Sequence, residues 1–213
     1  MNISVNTTGK SLNLPRDYLS YSALSLWTKN KDAFRKKYYE GVEPKETRFS
    51  LFGKEVHSQL EHGALKKVPR YKEAEFPIKT EIEGVPVYGI IDSFDPRGKR
   101  FLDFKSGIRK PDGSPRWDDL AVISLDQLPF YSLMIETMFG RVHPLCKLIW
   151  LETRSLPNKG RVSVDDARLV LTGDFHIFKR VIEPWERERM REWIVTEAEA
   201  ISKDRERYIA DTQ

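Results

Sequence analysis

Cysteine is almost missing from this sequence: the 213 residues include one, Cys146. A single thiol excludes an intrachain disulfide. It also excludes a cysteine-only zinc site and an all-cysteine iron–sulfur cluster, each of which takes about four thiolates. Such cysteine usage points to a reducing compartment, so a cytoplasmic location is expected. Cys146 itself sits in the apolar run PLCKLIWLE and reads as a buried, inert thiol. Long apolar runs are missing too. None approaches the ~20 residues of a membrane-spanning helix, so no membrane partner is expected. The N-terminal stretch MNISVNTTGKSLNLPRDY lacks the apolar segment of a secretory signal. Internal repeats and low-complexity tracts are also absent.

Aromatic residues and charge are plentiful. Five Trp, 8 Tyr and 11 Phe, within 39% hydrophobic residues, are enough for a real core and argue against disorder. Charged residues make up 32% of the chain, above the ~25% average. Lys and Arg number 36 against 32 Asp and Glu, a net charge of +4, with a pI near 9.0. That balance permits a nucleic-acid partner without establishing one. The length and the lack of a linker favour a single domain over residues 1–213.

The hydrophobic pattern predicts helices first. Residues 1–17 are polar and punctuated, a loop or short strand. Ser20 or Ser22 caps a helix, KDAFRKKYYEG forms a second ending at Gly41, and residues 50–64 form a third. From Glu75 three antiparallel strands follow, turning at Glu83-Gly84 and at Asp95 to Gly98. Residues 107–120 read as a long loop. A helix runs from about Ser124 to Phe139, with Pro129 near its first turn. PLCKLIWLE is a strand, residues 169–182 give one or two more, and a helix from about Glu183 to Tyr208 closes the chain. The fold class is α/β: an N-terminal helical part (18–65), a mixed-sheet core (75–182) and a long C-terminal helix (183–209).

The residues with chemical promise lie on the sheet. Side chains alternate along a strand, so Asp103 and Lys105 share one face while Phe104 points into the opposite layer. The turn at 95–98 folds that strand back beside Asp92. Two carboxylates and an ammonium would then meet. Hard divalent cations take oxygen ligands, and such an ion polarises a phosphoryl oxygen and activates water. A lysine there, with its pKa depressed by burial and the metal, could hold or deprotonate that water. His57, on the third helix, is a ligand type suited to Mn²⁺. Gln127 and Tyr131 lie one helical turn apart on one face. Taken singly, each of these also reads as a strand end, an exposed ion pair or an ordinary surface residue.

Taken in order, G-x-x-x-H (Gly53, His57), G-x-x-D (Gly89, Asp92), D-x-K (Asp103, Lys105) and Q-x-x-x-Y (Gln127, Tyr131) closely resemble the RecB-like branch of the PD-(D/E)XK nuclease superfamily. That branch includes RecB-type nuclease domains and CRISPR-associated adaptation nucleases. The serine-rich helix start from Ser20 to Trp27 is similar as well, and the resemblance spans about residues 18–135. It implies a restriction-endonuclease-like core and a metal-dependent deoxyribonuclease, an exonuclease directed at single strands or ends. His57, Asp92 and Asp103, with the Phe104 carbonyl, would bind one or two Mg²⁺ or Mn²⁺ ions. Lys105 would orient or activate water, while Gln127 and Tyr131 would position that lysine and the DNA. Glu61, one turn after His57, would be an outer carboxylate or simply a surface residue. Many relatives carry a cysteine-held iron–sulfur cluster clamping the two ends of the domain. This chain cannot, and packing of its long C-terminal helix would replace the clamp. Protein partners, if there are any, would belong to DNA repair, phage or CRISPR-adaptation pathways. Two alternatives stand beside this reading: a catalytically silent DNA-binding or complex subunit, and a restriction-type sequence-specific endonuclease.

Further DNA contacts are expected from the basic run at Lys29, Lys31, Arg35, Lys36 and Lys37. Its interleaved aromatics read as a core face and its cations equally as phosphate contacts or a solvated face. The 107–120 loop leaves the active-site strand directly, so Arg109, Lys110, Arg116 and Trp117 are expected to grip substrate. The mixed-charge runs near the C-terminus read as a solvated helix face.

Overall fold

The computed structural model describes residues 5–7, 10–156 and 168–212. Residues 1–4, 8 and 9 of the expected N-terminal polar stretch therefore lie outside the described residues. A short hairpin of β1 (Val5–Thr7) and β2 (Lys10–Leu12) opens the chain. Three helices follow: α1 (Tyr21–Lys29), α2 (Lys31–Tyr38) and α3 (Arg48–Glu61). Each has a polar N-cap, Ser20, Asn30 and Thr47, whose side chain accepts the backbone N–H of Ala23, Ala33 and Ser50 respectively. The sheet strands are β3 (Glu73–Ile82), β4 (Val85–Asp95), β5 (Arg100–Ile108), β6 (Leu145–Leu156) and β7 (Arg168–Val181). Between β5 and β6 come α4 (Asp119–Ile123) and α5 (Gln127–Phe139), and α6 (Pro184–Thr212) closes the fold.

The five strands lie in sequence order, with β5 and β6 parallel and the other neighbours antiparallel. This is the expected mixed sheet flanked by helices. The β3–β4 hairpin closes through Glu83 and Gly84, with φ of 48° and 80°. Two successive positive φ values make the turn whose twist matches a hairpin. One sheet face packs on α1, α5 and α6 through Ile78, Ile91, Phe94, Leu148, Trp150, Phe130 and Ile194. The other carries a smaller cluster of Leu102, Phe104, Ile149 and Leu151 under Val56 and Leu60 of α3.

Three expectations are corrected. The 107–120 loop is shorter, because β5 continues to Ile108 and α4 begins at Asp119, with the Asp118 carboxylate accepting the Ala121 N–H at 2.8 Å. The following helix starts at Gln127 instead of Ser124. The mixed-charge runs of the C-terminal helix are more than a solvated face. Arg187 reaches Glu136 at 3.0 Å, and Arg205 donates to the Leu14 carbonyl. Ser202 accepts the Asn13 N–H at 2.8 Å, Glu197 accepts the Trp27 indole at 2.8 Å, and Asp204 takes the Arg35 guanidinium. α6 thus ties the N-terminal segments to the sheet, where cysteines are lacking.

The β4–β5 ladder is short. It holds only at Ser93–Leu102, Phe94–Phe101 and Asp95–Arg100. Farther along β4, Leu19 takes the same edge at Val87, donating to the Pro86 carbonyl and accepting the Tyr88 N–H, both at 2.9 Å. Residues 89–92 lie in the gap between these two attachments.

A candidate active site in the gap beside strand β4

Asp92 stands where β4 and β5 part. Its Oδ2 accepts the Phe104 backbone N–H at 2.6 Å, so a carboxylate fills the place of a ladder bond. Its Oδ1 lies 3.5 Å from His57 Nδ1, which α3 brings across the same face, and Glu75 Oε1 is 3.2 Å from that nitrogen. Among the described residues His57, Glu75 and Asp92 form a group whose ligand atoms all lie within 4.8 Å of one another. Glu75 was not anticipated. The hairpin register brings it opposite Asp92, between the pairs Ala74–Ser93 and Phe76–Ile91. Its φ of 46° is unusual for a non-glycine residue.

The charges strain against one another. Burial pushes the Asp92 carboxyl up to about 7, and nearby Asp103 adds to the rise. His57 is raised mainly by its hydrogen bond to Glu75, against burial, with Asp92 helping. Protons therefore collect where three potential ligands converge, which is the charge deficit that a cation would fill. A histidine and two carboxylates make a mixed N/O donor set suited to Mn²⁺ and related ions.

Asp103 lies outside that group. It is 1% exposed, and Lys105 Nζ sits 3.0 Å from its Oδ2 in ion-pair contact. That oxygen is fully buried and has no aligned hydrogen bond. Lys105 also donates to Gln127 Oε1 at 2.8 Å, and Gln127 Nε2 donates to the Tyr131 hydroxyl at 3.2 Å. Burial alone would lower the Lys105 pKa, yet the Asp103 and Asp92 carboxylates outweigh it and the net shift is upward. In the metal-free protein Lys105 is thus an ammonium donor, whereas the expected depression included a neighbouring cation. Tyr131 is raised by burial and stays a neutral phenol.

Gly89 fits this arrangement physically. A Cβ there would stand 2.7 Å from Tyr131 Cε1, so the ring occupies the space that a side chain would take. Gly53 is different: a Cβ would meet only Ser106 Oγ, at 3.9 Å. The Phe104 ring is buried in the opposite layer, as its alternation demands, and its backbone N–H is the group engaged with Asp92. Glu61 is exposed beside a cavity of about 460 Å³ that His57 and Glu75 also line. Cys146 is fully buried, and burial pushes its thiol up to about 12.

The outlying basic residues fare unequally. Arg109 is held by Glu152 in a fork, at 2.9 and 2.7 Å, and Lys110 pairs with Asp118 at 3.7 Å. Trp117 packs against the main core, and Arg116 is exposed and folds over Gly107. Trp27 of α1 and Phe34 of α2 are core, as expected, and Lys36 is exposed without an ion pair among the described residues.

No protein-family profile and no curated protein matches the sequence. Solved structures do resemble the fold. A phage-related exonuclease from Haemophilus somnus 129PT superposes with a TM-score of 0.56 at 13% identity, over 91% of this chain and 85% of that one. A protein from Eubacterium rectale, to which exonuclease activity is ascribed, gives a TM-score of 0.54 at 12% identity, over 87% and 82%. At such identities the likeness is one of fold.

Proposed function

We propose that the chain is a metal-dependent deoxyribonuclease of the RecB-like type, acting as an exonuclease on single strands or free ends. The observation that carries the reading is one continuous constellation. His57, Glu75 and Asp92 cluster on one side, and the buried Asp103–Lys105–Gln127–Tyr131 chain stands beside them. The two similar folds are those of proteins described as exonucleases, which supports the same direction.

Asp92, His57 and Glu75 would hold the cation, with Asp103 beside them in ion-pair contact with Lys105. When bound, a divalent ion supplies Lewis-acid polarisation of a phosphoryl oxygen and favours ionisation of water. The chain's own groups do the rest. Lys105, kept protonated by Asp103 and Asp92, directs its ammonium at developing negative charge. Gln127 fixes the Lys105 rotamer, and Tyr131 fixes Gln127. Asp103 balances the Lys105 charge in a site too dry to leave it unpaired.

The test is cleavage of labelled single-stranded, blunt duplex and flapped DNA in Mg²⁺, Mn²⁺ and EDTA. Metal-dependent shortening of single strands or ends, lost in EDTA and in Lys105→Ala, is the expected result. Binding without cleavage in any metal would overturn it in favour of a silent subunit, and discrete internal duplex fragments would favour a restriction-type enzyme.

A further inference from the structure

Gln127 and Tyr131 also line a second cleft, of about 400 Å³, with no Asp or Glu in its lining. Its size falls in the ~300–1,000 Å³ range of ligand clefts. Its walls are tyrosines. Tyr18 and Tyr88 pack with ring centroids 4.9 Å apart, and Tyr38 carries the Arg16 guanidinium 4.6 Å above its ring. All three rings are half-buried, and Arg16 is exposed with no carboxylate partner among the described residues. Lys37 adds a second cation, paired with Glu43 at 3.4 Å.

The backbone explains why these rings meet. Leu19 pairs with β4 at Val87, which sets Tyr18 against Tyr88 just before Gly89. The cleft is thus the continuation of the gap in which Asp92 stands. Its floor is formed by the residues that hold Lys105.

We infer that this tyrosine-lined cleft receives one unpaired nucleobase of the substrate strand, next to the phosphate presented to Lys105. The inference rests on the nuclease reading above and specifies its substrate. Every base has a π-face, so stacking on aromatic walls tolerates any sequence and contributes ~1–3 kcal/mol per base. A paired base already stacked in a duplex is not available to such walls. The strand must therefore be unpaired at this position. The lack of carboxylates in the lining and the exposed Arg16 keep the entrance favourable for a polyanion.

The test is fluorescence-anisotropy binding by the full chain in EDTA, where no cleavage intervenes. The probes are a labelled oligothymidylate and an abasic deoxyribose-phosphate chain of the same length. Wild type is expected to prefer the oligothymidylate. Tyr18→Ala and Tyr88→Ala should each weaken that binding by about 5- to 150-fold, leave abasic binding unchanged, and be rescued by Tyr18→Phe and Tyr88→Phe. Equal weakening on both probes, or no base preference in wild type, would overturn the inference. Cleavage in Mn²⁺ is scored separately on the same oligothymidylate. Cleavage without base preference sinks the subsite and spares the nuclease, and base-dependent binding without cleavage does the reverse.

Discussion

The Asp92 carboxylate accepts the Phe104 N–H at 2.6 Å, so an ionisable group replaces a backbone bond at the point where two strands separate. The consequence is measurable in the metal-free protein. A carboxyl raised from 3.8 to about 7 gives its full contribution to stability below about pH 4 and loses it as pH rises through 7. Asp92→Asn, which keeps an acceptor for Phe104, removes that loss. In EDTA the variant should be more stable than wild type at pH 8, by on the order of 2–4 kcal/mol, and indistinguishable near pH 4. Urea unfolding at both pH values checks this. A variant less stable at pH 8 would show that Asp92 is not strained.

Lys105 and Gln127 act as a pair. Lys105→Ala should lower the cleavage rate by roughly 10²–10³-fold, the loss typical of a single charge-stabilising donor. Gln127→Ala should give a smaller loss, because Asp103 still holds the ammonium. Combining the two should cost no more than Lys105→Ala alone. Single-turnover rates test this, and fully additive losses would separate the two residues.

Gly89→Ala places a methyl 2.7 Å from the Tyr131 ring. Tyr131 must move and Gln127 loses its anchor. Overpacking of this kind costs ~1–3 kcal/mol. Denaturant melts should show that loss, together with a fall in cleavage rate. Gly53→Ala, whose methyl would make only an ordinary contact with Ser106 Oγ at 3.9 Å, should be close to neutral in stability.

Arg180 is 6% exposed and pairs with Glu186 at 2.5 Å, while donating to the carbonyls of Val122 and Leu125 at 2.8 and 2.9 Å. It pins the segment that enters α5, and hence Gln127. Arg180→Ala leaves Glu186 buried without its cationic partner, and should destabilise the protein by about 3–5 kcal/mol. The unfolding midpoint measures it.

Much of this arrangement was legible in the sequence. The alternation of Asp103, Phe104 and Lys105 separates two charged groups from a core ring by strand geometry alone, and the turn at Asp95 to Gly98 returns β5 beside Asp92. The one-turn spacing of Gln127 and Tyr131 likewise survives as a hydrogen bond. Glu75 was missed, although a signal for it existed. The two-residue turn at Glu83-Gly84 fixes the β3–β4 register, and counting outward from it sets Glu75 opposite Asp92. The upward shift of Lys105 was not legible, because it depends on both carboxylates outweighing burial. Helix α4 was hidden for another reason. Its five residues bury only Val122 and leave Leu120 and Ile123 exposed, so no apolar stripe marks it. The pairing of Arg109 with Glu152 joins residues 43 apart, across β5 and β6, which local patterns do not reveal.

Calorimetric titration of the metal-free protein with Mn²⁺ asks whether His57, Glu75 and Asp92 bind a cation. Wild type should bind the ion, with affinity falling at least tenfold in Asp92→Ala and in Glu75→Ala, and with protons released on binding at pH 6.5. Absence of Mn²⁺ binding, or binding untouched by both substitutions, would rule out a cation site at these residues.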